Sequence, residues 1–163
     1  MVNTELSIYH SPVGILHIAI HDAHIIAVSF SELRPEQLPL LSGRSGTDLC
    51  NGTLADLSLQ LDTYFSGNDP YFNIPLRVYG TDFELRVWKA CMNIPFGETR
   101  SYGELARDIG NARAARAVGN ALSLNRIPLL IPCHRVIRAN GETGEYAGGV
   151  KIKEKLLQIE KEQ

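Results

Sequence analysis

The apolar residues of this chain alternate with polar ones early in the sequence but recur at three- and four-residue spacing beyond Gly80, so a single layer type cannot serve the whole length. Within residues 15–30, Leu16, Ile18 and Ile20 take one face and His17, Ala19 and His21 the other. Asp22 and Ala23 interrupt, and Ile26, Val28 and Phe30 resume, which predicts a β-hairpin. Residues 31–52 hold Pro35, Pro39, Gly43, Gly46 and Gly52 and read as a long irregular connection. Thr53 then caps a helix carrying Leu54, Leu57, Leu61, Tyr64 and Phe65, which Gly67 ends. Residues 68–80 read as extended, and the domain boundary is placed close to Gly80, giving domains 1–80 and 81–163.

The second half is punctuated by helix starts. Thr81 with Glu84 has capping-box spacing, followed by Phe83, Val87, Ala90, Cys91 and Ile94 on one stripe. Ser101 with Glu104 repeats it, opening a short helix with Tyr102, Leu105, Ala106 and Ile109 inward and Gly110 at its end. Asn111 is placed to cap a third helix over residues 112–124, burying Ala114, Ala117, Val118, Ala121 and Leu122. The spacing predicts a helix-turn-helix. Arg116 stands mid-helix among Ala112, Ala115 and Gly119 and can project beyond them; a solvated surface arginine is the plain alternative.

Charge separates the halves further. Residues 1–80 carry three arginines against eight acids, whereas residues 100–138 carry seven arginines against Glu104 and Asp108, a local net of +5. Arginine presents a planar fork of donors to phosphate, so this stretch favours phosphate or base contact although the whole chain is at −2; a solvated arginine surface is the equal alternative. No run approaches the roughly 18 consecutive apolar residues of a membrane span. Three widely spaced cysteines, Cys50, Cys91 and Cys133, do not form an even disulfide framework, and the expected setting is cytoplasmic with no membrane contact. His10, His17, His21 and His24 cluster in the first strands, where a solvent-facing row accounts for them, and no structural zinc or other metal is expected.

The chemistry concentrates after Asn125. An apolar run, Ile127 to Ile131, reads as a strand ending at Pro132, followed by the one Cys-His pair, Cys133 and His134. A free thiol titrates near ~8.5, and positive surroundings such as Arg135 lower it, which would make Cys133 a nucleophile with His134 as the nearby base. Adjacent side chains diverge on a strand, so direct contact needs a turn or a water. The alternative is a buried small hydrophobe beside a satisfied histidine.

The flanking residues decide between them. Pro132-Cys133-His134-Arg135-Val136 resembles the active-site motif of the O6-alkylguanine-DNA alkyltransferases, the methylated-DNA–protein-cysteine methyltransferases. Val87-Trp88-Lys89, Ile94-Pro95-Phe96-Gly97, Ser101-Tyr102, residues 114–119, Asn125, residues 146–149 and Lys153-Glu154 match that family in order, over residues 81–160. The resemblance implies an α/β (α+β) fold: a small N-terminal ribonuclease-H-like α/β domain, then a mainly helical, winged-helix-like DNA-binding domain. It implies direct reversal of O6-alkylguanine, and of O4-methylthymine, in double-stranded DNA, by a monomer that acts once and uses no cofactor.

The same resemblance assigns roles. Cys133 accepts the alkyl group, His134 takes its proton through a water, and Glu160 holds the histidine tautomer, although the residues alone leave Glu160 equally free for a surface ion pair with a lysine. Asn125 is the hinge before the active site, and Tyr102 sits where the nucleotide rotates out and steadies the departing guanine. Arg116 fills the vacated stack; Ser101, Ala115, Gly119, Arg126 and Arg135 lie at the DNA. Tyr146, Ala147, Gly148 and Val136 wall the base pocket, the glycine letting the backbone approach the base. A bare helix-turn-helix would dock in the major groove; the resemblance implies the minor groove, which Ala112, Ala115 and Gly119 make sterically feasible.

Two positions depart from the pattern: Arg126 stands where many members have proline, and Ala147 replaces a serine of some relatives. Rival readings are an alkyltransferase-like damage binder, a cysteine hydrolase and a helix-turn-helix regulator. Cys133 argues against the first, and neither an oxyanion motif nor a dimerisation heptad supports the others.

Overall fold

The structure, a computed structural model, describes residues 3–39 and 43–162. Its N-terminal half is a five-stranded sheet in the order β1-β2-β3-β5-β4, from β1 (Thr4–Ser11), β2 (Gly14–His21), β3 (His24–Ser29), β4 (Thr47–Leu49) and β5 (Leu76–Val78). The predicted hairpin is β2–β3, antiparallel, turned by Asp22 and Ala23 with φ of 50° and 58°. Two consecutive left-handed residues match the twist of the flanking strands. β1 adds a further antiparallel strand, β3 pairs with β5 in parallel, and β4 closes the edge against β5.

The connection expected to be irregular over residues 31–52 thus contains a strand, β4, whose three residues are too few to show alternation. The first helix, α1 (Leu57–Phe65), also starts later than its predicted cap, because Leu54–Asp56 form a 3-10 turn. The Thr53 hydroxyl donates to Asp56 Oδ2 at 3.0 Å instead of capping the helix. Leu61 and Tyr64 are the buried face of α1.

The second half is helical. Both capping boxes form as spaced: Thr81 and Glu84 start α2 (Asp82–Met92), and Ser101 and Glu104 start α3 (Tyr102–Asp108). The third helix, α4 (Ala115–Ser123), begins three residues after its predicted start, since residues 111–114 make a turn with the Ala114 N–H donating to Asn111 O at 3.0 Å. Ala114, Val118, Ala121 and Leu122 are buried as the spacing predicts, and Ala117, at the edge of that stripe, is exposed rather than buried. Trp88 locks α2 to this helix by donating from Nε1 to Ala121 O at 2.9 Å. A two-stranded parallel pair, β6 (Arg100–Ser101) with β7 (Val136–Ile137), and the last helix, α5 (Val150–Lys161), complete the fold.

The two halves share one core. Leu16, Ile18, Leu61 and Tyr64 belong to the same buried cluster as Val87, Trp88, Cys91 and Leu156, so the sheet supports the helices directly. Among the described residues no helix is long and apolar enough to cross a membrane, and no group of three or more His, Cys, Asp or Glu could hold a metal ion.

Candidate active site

The expected strand over residues 127–131 is absent, replaced by a compact turn. Asn125 directs it: its Oδ1 accepts from the Ile127 N–H at 2.9 Å, and its Nδ2 donates to Ile131 O at 3.1 Å and to Cys133 Sγ at 3.2 Å. Leu129 takes a left-handed φ of 76°, and the Ile131 N–H closes the loop on Ile127 O at 3.0 Å. Pro132, with no N–H to give a sheet, leads into a 3-10 turn, Cys133–Arg135. Asn125 therefore shapes the chain and touches the sulfur at once.

That turn lets neighbouring residues face different surroundings. Cys133 lies at the floor of a cleft of about 1030 Å³, at the upper end of small-ligand pockets, also lined by Tyr102, Ala115, Arg116, Gly119, Tyr146 and Ala147. It is 8% exposed, open to a ligand only from the cleft side. Burial pushes its thiol up from the ordinary cysteine value, and the Asn125 amide and the Lys153 charge only partly oppose this. The expectation of a thiol lowered by its positive surroundings is overturned: desolvation wins, and the resting group is protonated. A base is then required.

His134 is fully buried and is not among the side chains that line the cleft. Its Nε2 lies 2.6 Å from Glu160 Oε1; a carboxylate only accepts, so Nε2 carries the proton and donates. Burial lowers His134 from the ordinary histidine value against the pull of Glu160, which keeps the ring neutral. Its other nitrogen, Nδ1, is buried without a partner among the described residues, an acceptor lone pair awaiting a proton.

Glu160 is the hub. Besides His134 it accepts from Tyr64 Oη at 2.8 Å, from the Gly97 N–H at 3.1 Å, and from Arg135 Nε at 3.0 Å. Burial would raise this carboxyl, but the His134 hydrogen bond and the Arg135 guanidinium outweigh it and hold it at about 2. The surface ion pair with a lysine, left open by the sequence, does not form; Glu160 is 2% exposed.

Arg135 is the clearest correction. Expected at the DNA, it is buried, with its guanidinium engaged by Glu160 and by Ile94 O at 2.7 Å and lying over the Phe96 ring. A buried guanidinium needs a buried carboxylate, and Glu160 is the one supplied. Val136 is likewise fully buried, so its side chain cannot wall an open pocket; its carbonyl accepts from Lys153 Nζ at 2.7 Å. Gly148 sits against Phe30 of the N-terminal half, where a Cβ would meet the ring at 2.6 Å, so its missing side chain serves that packing. Arg126 is exposed but opens on a second groove, with Tyr79, Trp88 and Leu124. Ser101 is half-buried, its oxygen accepting the Glu104 N–H.

Tyr102, Arg116, Ala115, Gly119, Tyr146 and Ala147 do converge on the cleft with Cys133. Arg116 is exposed and forms no hydrogen bond or ion pair with the described residues. Tyr64 and Lys153 escaped sequence reasoning as site residues. Lys153 is 1% exposed and joins Val136 O to Glu145 O at 3.3 Å, and burial lowers its ammonium to about 8. Its only signal was the Lys153-Glu154 match; Tyr64 had none beyond a helix stripe.

Residues 6–78 match the ribonuclease-like domain, and residues 82–162 the DNA-binding domain, of 6-O-methylguanine DNA methyltransferase. A Mycobacterium leprae methylated-DNA–protein-cysteine methyltransferase is 51% identical over 113 residues, covering 69% of this chain and 68% of the relative. The crystal structure of Mycobacterium tuberculosis O6-methylguanine methyltransferase superposes with a TM-score of 0.80 at 40% identity, covering 98% of this chain and 93% of that one. The Mycobacterium tuberculosis OGT in complex with DNA gives 0.79 at 40% identity, over 94% and 91% of the two chains.

Proposed function

The chain belongs to the 6-O-methylguanine DNA methyltransferase family, and from that premise we propose how its own residues reverse O6-alkylguanine damage in duplex DNA. The observation that carries the reading is the unpartnered Nδ1 of neutral His134, adjacent in sequence to a protonated thiol at the floor of an open cleft.

The alkyl carbon on guanine O6 is out of line with any thiol while the base is stacked, so the nucleotide must rotate into the cleft, at a cost of a few kcal/mol. Arg116, from the exposed face of α4, fills the space it leaves and offsets that cost. Ala115 and Gly119 keep this face slim, which favours approach through the minor groove. The Cys133 proton passes through a water to His134 Nδ1, and sulfur then attacks the alkyl carbon: the S–C bond forms as the C–O6 bond breaks. Tyr102, on the cleft wall, gives its proton to the departing guanine and regains one through water from His134 Nδ1–H, so the net result is a proton moved from sulfur to guanine and an alkyl group moved from oxygen to sulfur. The thioether is a poor leaving group, so each molecule acts once, and the protein itself replaces any methyl-donor cofactor. The reading takes the active form as a monomer, in the cytoplasm where three free thiols persist, with O4-methylthymine as a second substrate.

Cys133→Ser is expected to keep duplex binding within about twofold while transfer falls below detection, since alkoxide formation from a buried serine is far harder than thiolate formation. Cys50→Ser is expected to transfer normally. Binding and transfer measured on the same alkylated duplex check both, and transfer that persists in Cys133→Ser contradicts the assignment.

A further inference from the structure

Of the side chains among the described residues that hold Glu160, only Tyr64 comes from the N-terminal half, carried on α1. We propose that Tyr64 is a positioning residue for alkyl transfer: its hydroxyl, donated to Glu160 Oε1, fixes His134 in its Nε2–H tautomer and tunes the basicity of Nδ1. The proposal rests on the reading of Cys133 as the alkyl acceptor activated through His134.

Three observations support it. The Tyr64 oxygen lies 2.8 Å from Glu160 Oε1 but 3.4 Å from His134 Nε2, so its proton goes to the carboxylate and not to the ring. Burial, with the Glu160 charge beside it, raises the phenol well above its ordinary value, so it remains a donor throughout the working range. The ring is pinned, edge to face with Phe65, Phe96 and His134, so the hydroxyl has no freedom to turn elsewhere.

The consequence has a definite sign. Oε1 shares its charge among Tyr64, His134 and Arg135; removing one donor concentrates that charge on the others. A protonated His134 is then favoured, and a higher pH is needed to free Nδ1. Other ionisable groups around this turn are Arg135 and Cys133 within it, Lys153 on α5, Tyr146 from the pocket wall and Cys91 on α2. Tyr64→Phe leaves all of them in place and keeps the ring contacts.

The test is single-turnover transfer from an O6-methylguanine duplex, followed against pH for wild type and Tyr64→Phe. The acid limb of the variant is expected to move up by about half to one pH unit, from part of a hydrogen bond to a charged group, with rates converging at high pH. A packing role alone would scale the rate equally at every pH. Coincident limbs, a uniform scaling, or a downward shift would overturn the proposal. Should Tyr64→Phe not fold, nuclear magnetic resonance of the wild type decides: a slowly exchanging Tyr64 hydroxyl proton with a cross-peak to the His134 ring is expected, and its absence overturns the proposal. A wild type that transfers nothing at any pH defeats the acceptor reading instead, and the hydroxyl resonance still tests Tyr64.

Discussion

Glu160→Gln is expected to lower stability by about 3–5 kcal/mol, the cost of leaving a buried ion-pair partner uncompensated. For a chain of this size that corresponds to melting roughly 10 °C earlier. The substitution preserves volume but not hydrogen bonding. Every group facing the carboxylate is a donor: the Tyr64 hydroxyl, His134 Nε2, the Arg135 guanidinium and the Gly97 N–H. Glutamine offers one acceptor oxygen and turns an NH₂ toward donors, while the Arg135 charge stays buried without its counter-ion. Alkyl transfer should fall by about a hundredfold or more, because nothing then holds Nδ1 as the lone-pair nitrogen. Thermal unfolding together with single-turnover kinetics checks both; an unchanged melting temperature would contradict the hub role.

The same residues set the acid sensitivity of the wild type. Glu160 is held at about 2 in the folded protein, against roughly 4.3 when unfolded. Its contribution is present above the unfolded value and is lost as pH falls toward the folded one. His134 acts in the same direction: its folded value is depressed, so below roughly 6.5 the unfolded chain takes up a proton that the native chain refuses. Stability therefore declines first below about pH 6.5 and more steeply below about pH 4.

Arg116→Ala carries the second large effect, and it depends on the substrate. On duplex DNA the transfer rate should drop by about a hundredfold, since a filler worth a few kcal/mol is removed and each 1.36 kcal/mol is tenfold. On the free alkylated base, already unstacked, the rate should stay within about twofold of wild type. Stability should not change, because Arg116 is exposed and bonds to none of the described residues. Equal losses on both substrates would remove Arg116 from the flipping step.

The sequence was most legible where structure is local. Thr81 with Glu84 and Ser101 with Glu104 define their helix starts within four residues, and the stripes that follow bury the expected side chains, Val87, Cys91, Leu105 and Ala106. The cluster of Tyr102, Arg116, Cys133 and Tyr146 was legible through motif resemblance. What was missed is long-range. β1 and β4 are defined by pairing with β2 and β5 across the sheet, which no short window encodes. The turn over residues 127–131 exists because Asn125 satisfies its backbone, and an apolar run with that composition reads as a strand. Arg135 was misplaced because a buried arginine is favourable only when its carboxylate is known, and Glu160 lies 25 residues away in sequence. Tyr64 is farther still, 96 residues from the same carboxylate.

The central claim is that one sulfur, Cys133, takes the alkyl group from guanine and keeps it. Incubation with excess duplex bearing radiolabelled methyl on guanine O6 tests it most directly. Label is predicted to move to the protein, to saturate at one methyl per molecule, and to remain on the peptide containing Cys133. Label that exceeds one per molecule, returns to solvent, or resides on another peptide would contradict it.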